Sequence, residues 1–261
     1  MSEIKTIMNQ ENEEICVETY TPQDAKSTIV FCHGITGCRK GRTPEDSYFQ
    51  DLAGKLMKLG HKVVLFDFSG HGDSGGNDYD VCLSKSTDEL KRVFEHEVLA
   101  GKDVSFLAFS YGATVLCSFL AQNPSVKPTR MVLYSPCLYP LESCFLNPNS
   151  IFGKDIVREF KDGSMKSTGY AVVGVKSFRF GLKMIEECKD FSPDLFKRYA
   201  QRILVLGGRQ DVILNTKYNE DFCRENHIEL RYYNASHSLF EEIEQVFDAS
   251  IEFLQQPYTC I

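Results

Sequence analysis

The stretch Val104-Ser105-Phe106-Leu107-Ala108-Phe109-Ser110-Tyr111-Gly112-Ala113 decides the fold. It is an apolar, β-type run that breaks at one serine and restarts as a small-residue helix. A serine on so sharp a corner stands clear of both elements, and the strain is tolerable only with small residues two before and two after it. Here those are Ala108 and Gly112, where the usual pattern is Gly-x-Ser-x-Gly. One extra methyl group at Ala108 leaves that geometry possible. The helix that follows aims free N–H groups and its positive dipole end at the corner, where an oxyanion would form. Ser110 therefore reads as a nucleophile, with the Tyr111 amide as an oxyanion donor.

Working outward, Thr28-Ile29-Val30-Phe31-Cys32 is a continuous apolar run of the kind buried on both faces of a sheet. It opens into His33-Gly34-Ile35-Thr36-Gly37, so the Ile35 amide is the second candidate oxyanion donor. Ahead of it, residues 4–9 and 14–20 alternate polar and apolar and predict a solvated antiparallel hairpin at a sheet edge. Thr43-Pro44-Glu45-Asp46 predicts a helix start, with Phe49, Leu52, Ala53, Leu56 and Met57 at helical spacing and Gly60 as the stop.

A strand over 62–68 leads into Ser69-Gly70-His71-Gly72-Asp73-Ser74-Gly75-Gly76, which contains Gly-x-Gly-x-x-Gly. A dinucleotide site needs a helix that begins on those glycines to seat the pyrophosphate. The next helix signal is instead the capping box Ser86-Thr87-Asp88-Glu89, so no nucleotide is expected. Strands over 130–135, 202–207 and 228–233 follow, with helices from about Thr216 and over Leu239–Leu254. Between Cys137 and Pro193 the alternation of strand and helix breaks down among aromatic residues. A structureless loop of that length is improbable, which predicts an inserted cap with a hairpin over 170–180 and a helix over 181–188.

A hydroxyl needs a base, and the base an orienting acceptor. His237 lies between the last strand and the last helix, and Asp211 follows the preceding strand. Both positions sit at carboxyl ends of parallel strands, where Ser110 also emerges, so three sequence-distant residues can converge. His33 and His71, at strand ends with glycine neighbours, read as loop-shaping, and His61, His96 and His227 as surface residues.

The chain has 261 residues and a formal charge of −7 with no Lys/Arg block, which argues for one α/β domain and against nucleic acid as partner. The ten cysteines are scattered without a Cys-x-x-Cys pair, the mark of free thiols rather than a disulfide frame or a zinc site. No run approaches the ~18 apolar residues of a membrane span, and the start carries no apolar leader, so a cytoplasmic protein is expected.

His33-Gly34-Ile35-Thr36-Gly37, Asp67 to Ser74, Ala108 to Gly112, Gly207 to Asp211 and His237 occur in an order that resembles the α/β-hydrolase superfamily. More narrowly they resemble the monoacylglycerol lipase and cinnamoyl (feruloyl) esterase group. The resemblance implies a mostly parallel sheet flanked by helices, a core over 1–136 and 194–261, and a cap over 137–193 after the sixth strand. It implies that Ser110 attacks an acyl carbonyl, His237 relays the proton, Asp211 fixes its tautomer, and the Ile35 and Tyr111 amides hold the oxyanion. No cofactor or metal is implied. The expected partner is a small-molecule ester; a thioester, a small amide and a non-catalytic binding role on the same scaffold remain alternatives, and the oligomeric state is open.

Overall fold

The computed structural model describes residues 2–41, 48–174 and 177–256. In chain order it forms β1 (Ser2–Met8), β2 (Glu14–Tyr20), β3 (Ser27–Cys32), α1 (Tyr48–Lys58), β4 (His61–Phe66), α2 (Leu83–Glu97), β5 (Asp103–Phe109), α3 (Tyr111–Gln122) and β6 (Met131–Tyr134). Then come α4 (Gly153–Lys161), α5 (Ser164–Thr168), the hairpin β7 (Tyr170–Val173) and β8 (Phe178–Gly181), and α6 (Leu182–Cys188). The chain closes with β9 (Ile203–Gly208), α7 (Lys217–Glu225), β10 (Glu229–Tyr233) and α8 (Ile243–Gln255). An eight-stranded sheet runs in the order β1-β2-β4-β3-β5-β6-β9-β10. Only the β1–β2 and β2–β4 pairings are antiparallel; every pairing from β4 to β10 is parallel.

The parallel strands read as unbroken apolar runs because both faces are covered. Alternate residues of one strand enter different cores: Phe106 and Ala108 face α2 and α3, whereas Leu107 faces α1 and α8. Each Phe or Leu so buried contributes about 1.5–3 kcal/mol. In α1 the spacing of Phe49, Leu52, Ala53 and Leu56 turns one stripe to the sheet, and all four are buried. Between β6 and β9, a π-helical turn at Pro140–Phe145, helices α4, α5 and α6 and the β7–β8 hairpin occupy the stretch where strand-helix alternation fails.

Two expectations change, and a third cannot be compared. The hairpin β1–β2 sits at the sheet edge, but β2 is not solvated: Ile15 to Thr19 are all buried, because β2 is flanked by β1 and β4 and covered by neighbouring side chains. The Ser86-Thr87-Asp88-Glu89 motif does not start α2. That helix begins at Leu83, and Ser86 and Glu89 are interior positions buried against other elements. Glu89 accepts from the Ser69 amide and from Asn9 Nδ2, so its carboxylate serves the loop after β4 rather than a helix end. Burial pushes its pKa up. The helix start at Thr43-Pro44-Glu45-Asp46 lies outside the described residues.

One charged side chain fixes the loop after β3 to the loop after β4. Arg39 is 1% exposed and pairs through Nη1 with Asp67, itself 0% exposed. Its amide also donates to Asp67 Oδ1 at 2.6 Å, and Nη2 reaches Asp73 at 2.7 Å. Removing one partner of a buried pair strands the other charge. Arg39→Ala is therefore expected to lower stability by about 3–5 kcal/mol, read as a shift in urea unfolding midpoint, with Asp67 and Arg39 strongly coupled in a double-mutant cycle.

Candidate active site

Ser110 caps α3 at the carboxyl end of β5 with φ 52° and ψ −117°, a left-handed conformation that an L residue adopts only when its surroundings impose it. Here they do. The Ser110 amide donates to Tyr134 O at 2.9 Å, and its carbonyl accepts from Ala113 and Cys137, both at 3.0 Å. Gly112 is required by packing: a Cβ there would stand 2.2 Å from Cys32 O. Ala108 is wholly buried in the core between sheet and helices, so the methyl group that departs from the usual glycine is accommodated.

The structure brings the three sequence-distant residues together. His237 Nε2 lies 3.0 Å from Ser110 Oγ, and Nδ1 lies 2.7 Å from Asp211 Oδ2. Asp211 Oδ1 accepts from the Ile213 and Leu214 amides at 2.8 and 2.9 Å, so the carboxylate is fixed on both oxygens. The Asp211 side chain is 1% exposed and that of His237 11%. Burial alone would raise the Asp211 pKa; the opposing charge and hydrogen bond of His237 and the two amides outweigh it, and the net shift is downward. With Nδ1–H held by Asp211, the free lone pair of His237 points at the Ser110 hydroxyl.

Ile35 and Tyr111 both line the cavity over Ser110. That cavity is about 320 Å³, near the low end of the roughly 300–1,000 Å³ of small-molecule sites. Its walls come from both sides of the chain: Phe49 and Phe109 from the core, Phe145, Phe152 and Val173 from the segment between β6 and β9. No acidic or basic side chain other than His33 and His237 lines it among the described residues. Cys144 also lines it. A hydrogen bond with Cys137 and burial push its thiol well up.

His33 and His71 are buried beside the cavity loop and bind backbone, in keeping with a loop-shaping role. His96 and His227 are exposed. His61 is half-buried at the start of β4, where Ser27 Oγ meets its Nδ1 at 2.8 Å. The glycines after β4 lead only to a single 3-10 turn at Asp78–Asp80 and do not open an α-helix, since α2 begins at Leu83. Cys16, Asp67 and Asp73 place ligand-type atoms within 4.8 Å of one another, but the Arg39 guanidinium already supplies the positive charge there. Sequence reasoning missed Phe49 and Phe109 as cavity walls. The available signal was position: Phe109 is the residue directly before Ser110, and Phe49 packs 6.0 Å from it.

Together the mostly parallel sheet, the serine corner and the converging histidine and aspartate define an α/β hydrolase. Residues 23–161, more than half of the chain, match the Hydrolase_4 family, described as serine aminopeptidase, S33, and the chain belongs to that family. No curated protein matches it. Among solved structures, it is similar to Est1E from Butyrivibrio proteoclasticus, solved with ferulic acid bound, at TM-score 0.72 and 16% identity, covering 96% of this chain and 97% of that one. A Pyrococcus furiosus esterase superposes at TM-score 0.65 with 19% identity over 98% of this chain and 91% of that chain. The α/β hydrolase domain-containing protein 10 from mouse does so at 0.67 with 12% identity over 97% and 100%. No helix of the described residues is long and apolar enough to cross a membrane.

The depressed Asp211 pKa has a sign that can be measured. A carboxylate held below its unfolded value of about 3.9 stabilises the fold at higher pH, and that contribution is lost as pH falls through the folded pKa. Wild type is therefore expected to lose stability relative to Asp211→Asn as the pH drops below about 4. Urea unfolding of both between pH 7 and pH 3 checks it.

Proposed function

We propose that this chain is a serine-dependent carboxylic ester hydrolase that works through an acyl-enzyme. Ser110 Oγ attacks the acyl carbonyl while His237 takes its proton. The same imidazolium then protonates the departing alcohol, and water, activated by His237, releases the acid. Asp211 keeps the Nδ1–H tautomer and stabilises the imidazolium. The Ile35 and Tyr111 amides hold the oxyanion of both tetrahedral intermediates. Residues 137–193 act as a cap over this core and contribute the apolar wall against which the acyl or aryl group lies. The observation that carries the reading is the continuous chain of hydrogen bonds from Ser110 Oγ through His237 to Asp211, opening into a closely walled cavity.

The lining also bears on substrate class. An aminopeptidase must offset the α-ammonium of its substrate, and a buried ammonium without a carboxylate is costly. The described lining offers no carboxylate, whereas its aromatic and aliphatic residues suit a neutral acyl or aryl group. A small to medium ester, the cinnamoyl (feruloyl) type included, fits this better than a free peptide amino terminus; a thioester shares the same acyl requirement.

The test is hydrolysis of a p-nitrophenyl ester series of increasing acyl length, with the ferulate, beside matched thioester and anilide substrates. Turnover of neutral esters is expected, with loss of about four orders of magnitude in Asp211→Asn. Ser110→Ala is expected to lose at least as much. Wild-type-like rates in either variant would sink the assignment, and faster anilide than ester cleavage would move the substrate class to amides.

A further inference from the structure

His33 and His71 stand outside the Ser110–His237–Asp211 chain, yet both are almost fully buried, at 2% and 4% exposure. Each meets a backbone group at both ring nitrogens. His33 Nε2 accepts from the Phe68 amide at 3.0 Å, and its Nδ1 faces Gly34 O at 2.8 Å. His71 Nε2 accepts from the Thr36 amide at 3.2 Å, and its Nδ1 faces Ser69 O at 3.0 Å. A backbone amide can only donate and a carbonyl only accept, so these partners assign both imidazoles as neutral with the proton on Nδ1. The two rings lie 5.1 Å apart and tie the loop after β3 to the loop after β4.

Ile35 sits between the tied residues. Gly34 is held by His33, Thr36 by His71, and the Gly37 amide closes the turn on Gly34 O at 3.0 Å. Thr36 has φ 65°, an unfavourable conformation for a β-branched residue. A turn that stores strain at one residue relaxes unless something opposes it, and here the Thr36 amide is held by His71 Nε2.

We propose that His71 is a positioning residue for the oxyanion site: it holds the strained Gly34–Gly37 turn in the conformation that presents the Ile35 amide beside that of Tyr111. This rests on the ester-hydrolase reading. Among the described residues His71 is not part of the cavity lining, and its effect passes through Thr36 to Ile35. A donor displaced in this way weakens stabilisation of charge that exists only in the tetrahedral states, so kcat should fall while substrate binding is nearly kept.

Two substitutions separate the ring's two bonds. His71→Asn places an amide near Nδ1, able to donate to Ser69 O but too short to reach Thr36. His71→Gln can carry a carbonyl oxygen to the Nε2 position and restore the acceptor. With the best p-nitrophenyl ester, His71→Asn is expected to lower kcat on the order of 100-fold with KM within about threefold of wild type. The Ki of an acyl trifluoromethyl ketone, to which the Ser110 hydroxyl adds to give a tetrahedral adduct, should rise by the same factor. His71→Gln should regain activity to within about tenfold of wild type.

Wild-type kcat and Ki in His71→Asn would overturn the proposal. So would equal loss in the Asn and Gln variants when both melt at the wild-type temperature, or a loss carried by KM with Ki unchanged. Wild-type-like turnover in Ser110→Ala would instead overturn the serine-hydrolase reading itself, so the two failures are distinguishable.

Discussion

The backbone of Ser110 is the constraint on which the rest depends. Its φ of 52° and ψ of −117° cost on the order of 1–3 kcal/mol, and the surrounding structure has to oppose that at every point of contact. Tyr134 O from β6 holds the amide, Cys137 and Ala113 hold the carbonyl, and Gly112 lets α3 approach β3 until a Cβ would strike Cys32 O. Gly34 packs so closely that a side chain there would meet Phe109 and Ser110 Cβ. The strands β3, β5 and β6, neighbours in the sheet, thus share one corner, and the sheet order is what makes a high-energy conformation affordable.

A second constraint is electrostatic and lies under the loop that faces Ser110. Asp67 at the exit of β4 is fully buried and accepts from the Arg39 amide, the Arg39 guanidinium and the Asp73 amide. Gly72 must be glycine because a Cβ would fall 2.3 Å from Asp67 Oδ2. Glycines that resemble a phosphate cradle are therefore spent on wrapping the chain around a carboxylate. The negative group recognised by this loop belongs to the protein itself.

The sheet was readable because its strands are buried on both faces and so carry unbroken apolar runs between glycine-bearing loops. The convergence of Ser110, Asp211 and His237 was readable because parallel strands deliver all their carboxyl ends to one edge. What was not readable shows where local rules lose to tertiary context. Ser86-Thr87-Asp88-Glu89 has the chemistry of a helix start, yet Ser86 accepts the Tyr111 hydroxyl and Glu89 serves Ser69 and Asn9 across the core. Likewise the alternation in β2 gave no warning that Glu18 would be buried against Arg39 at 3.4 Å. Arg39 itself has no periodicity or motif to announce it; only the fold brings its charge to Asp67.

The cavity wall and the acid share a support that neither periodicity nor motif could reveal. Ser150 Oγ donates to Ile213 O at 2.7 Å and accepts from the Phe152 and Gly153 amides, at 3.2 and 3.1 Å, where α4 begins. Ile213, through its amide, is one of the two donors that fix Asp211 Oδ1, and the Ile151 amide bonds Val212 O at 3.2 Å. One buried hydroxyl therefore joins the residue that walls the cavity, Phe152, to the peptide that orients the carboxylate facing His237. Far from being an appendage, the segment between β6 and β9 is bonded to the same loop, between β9 and α7, that carries Asp211. The hydrogen bonds of Ser150 and Ile213 thus place the wall of the cavity and the carboxylate that faces His237 on one connected network rather than two.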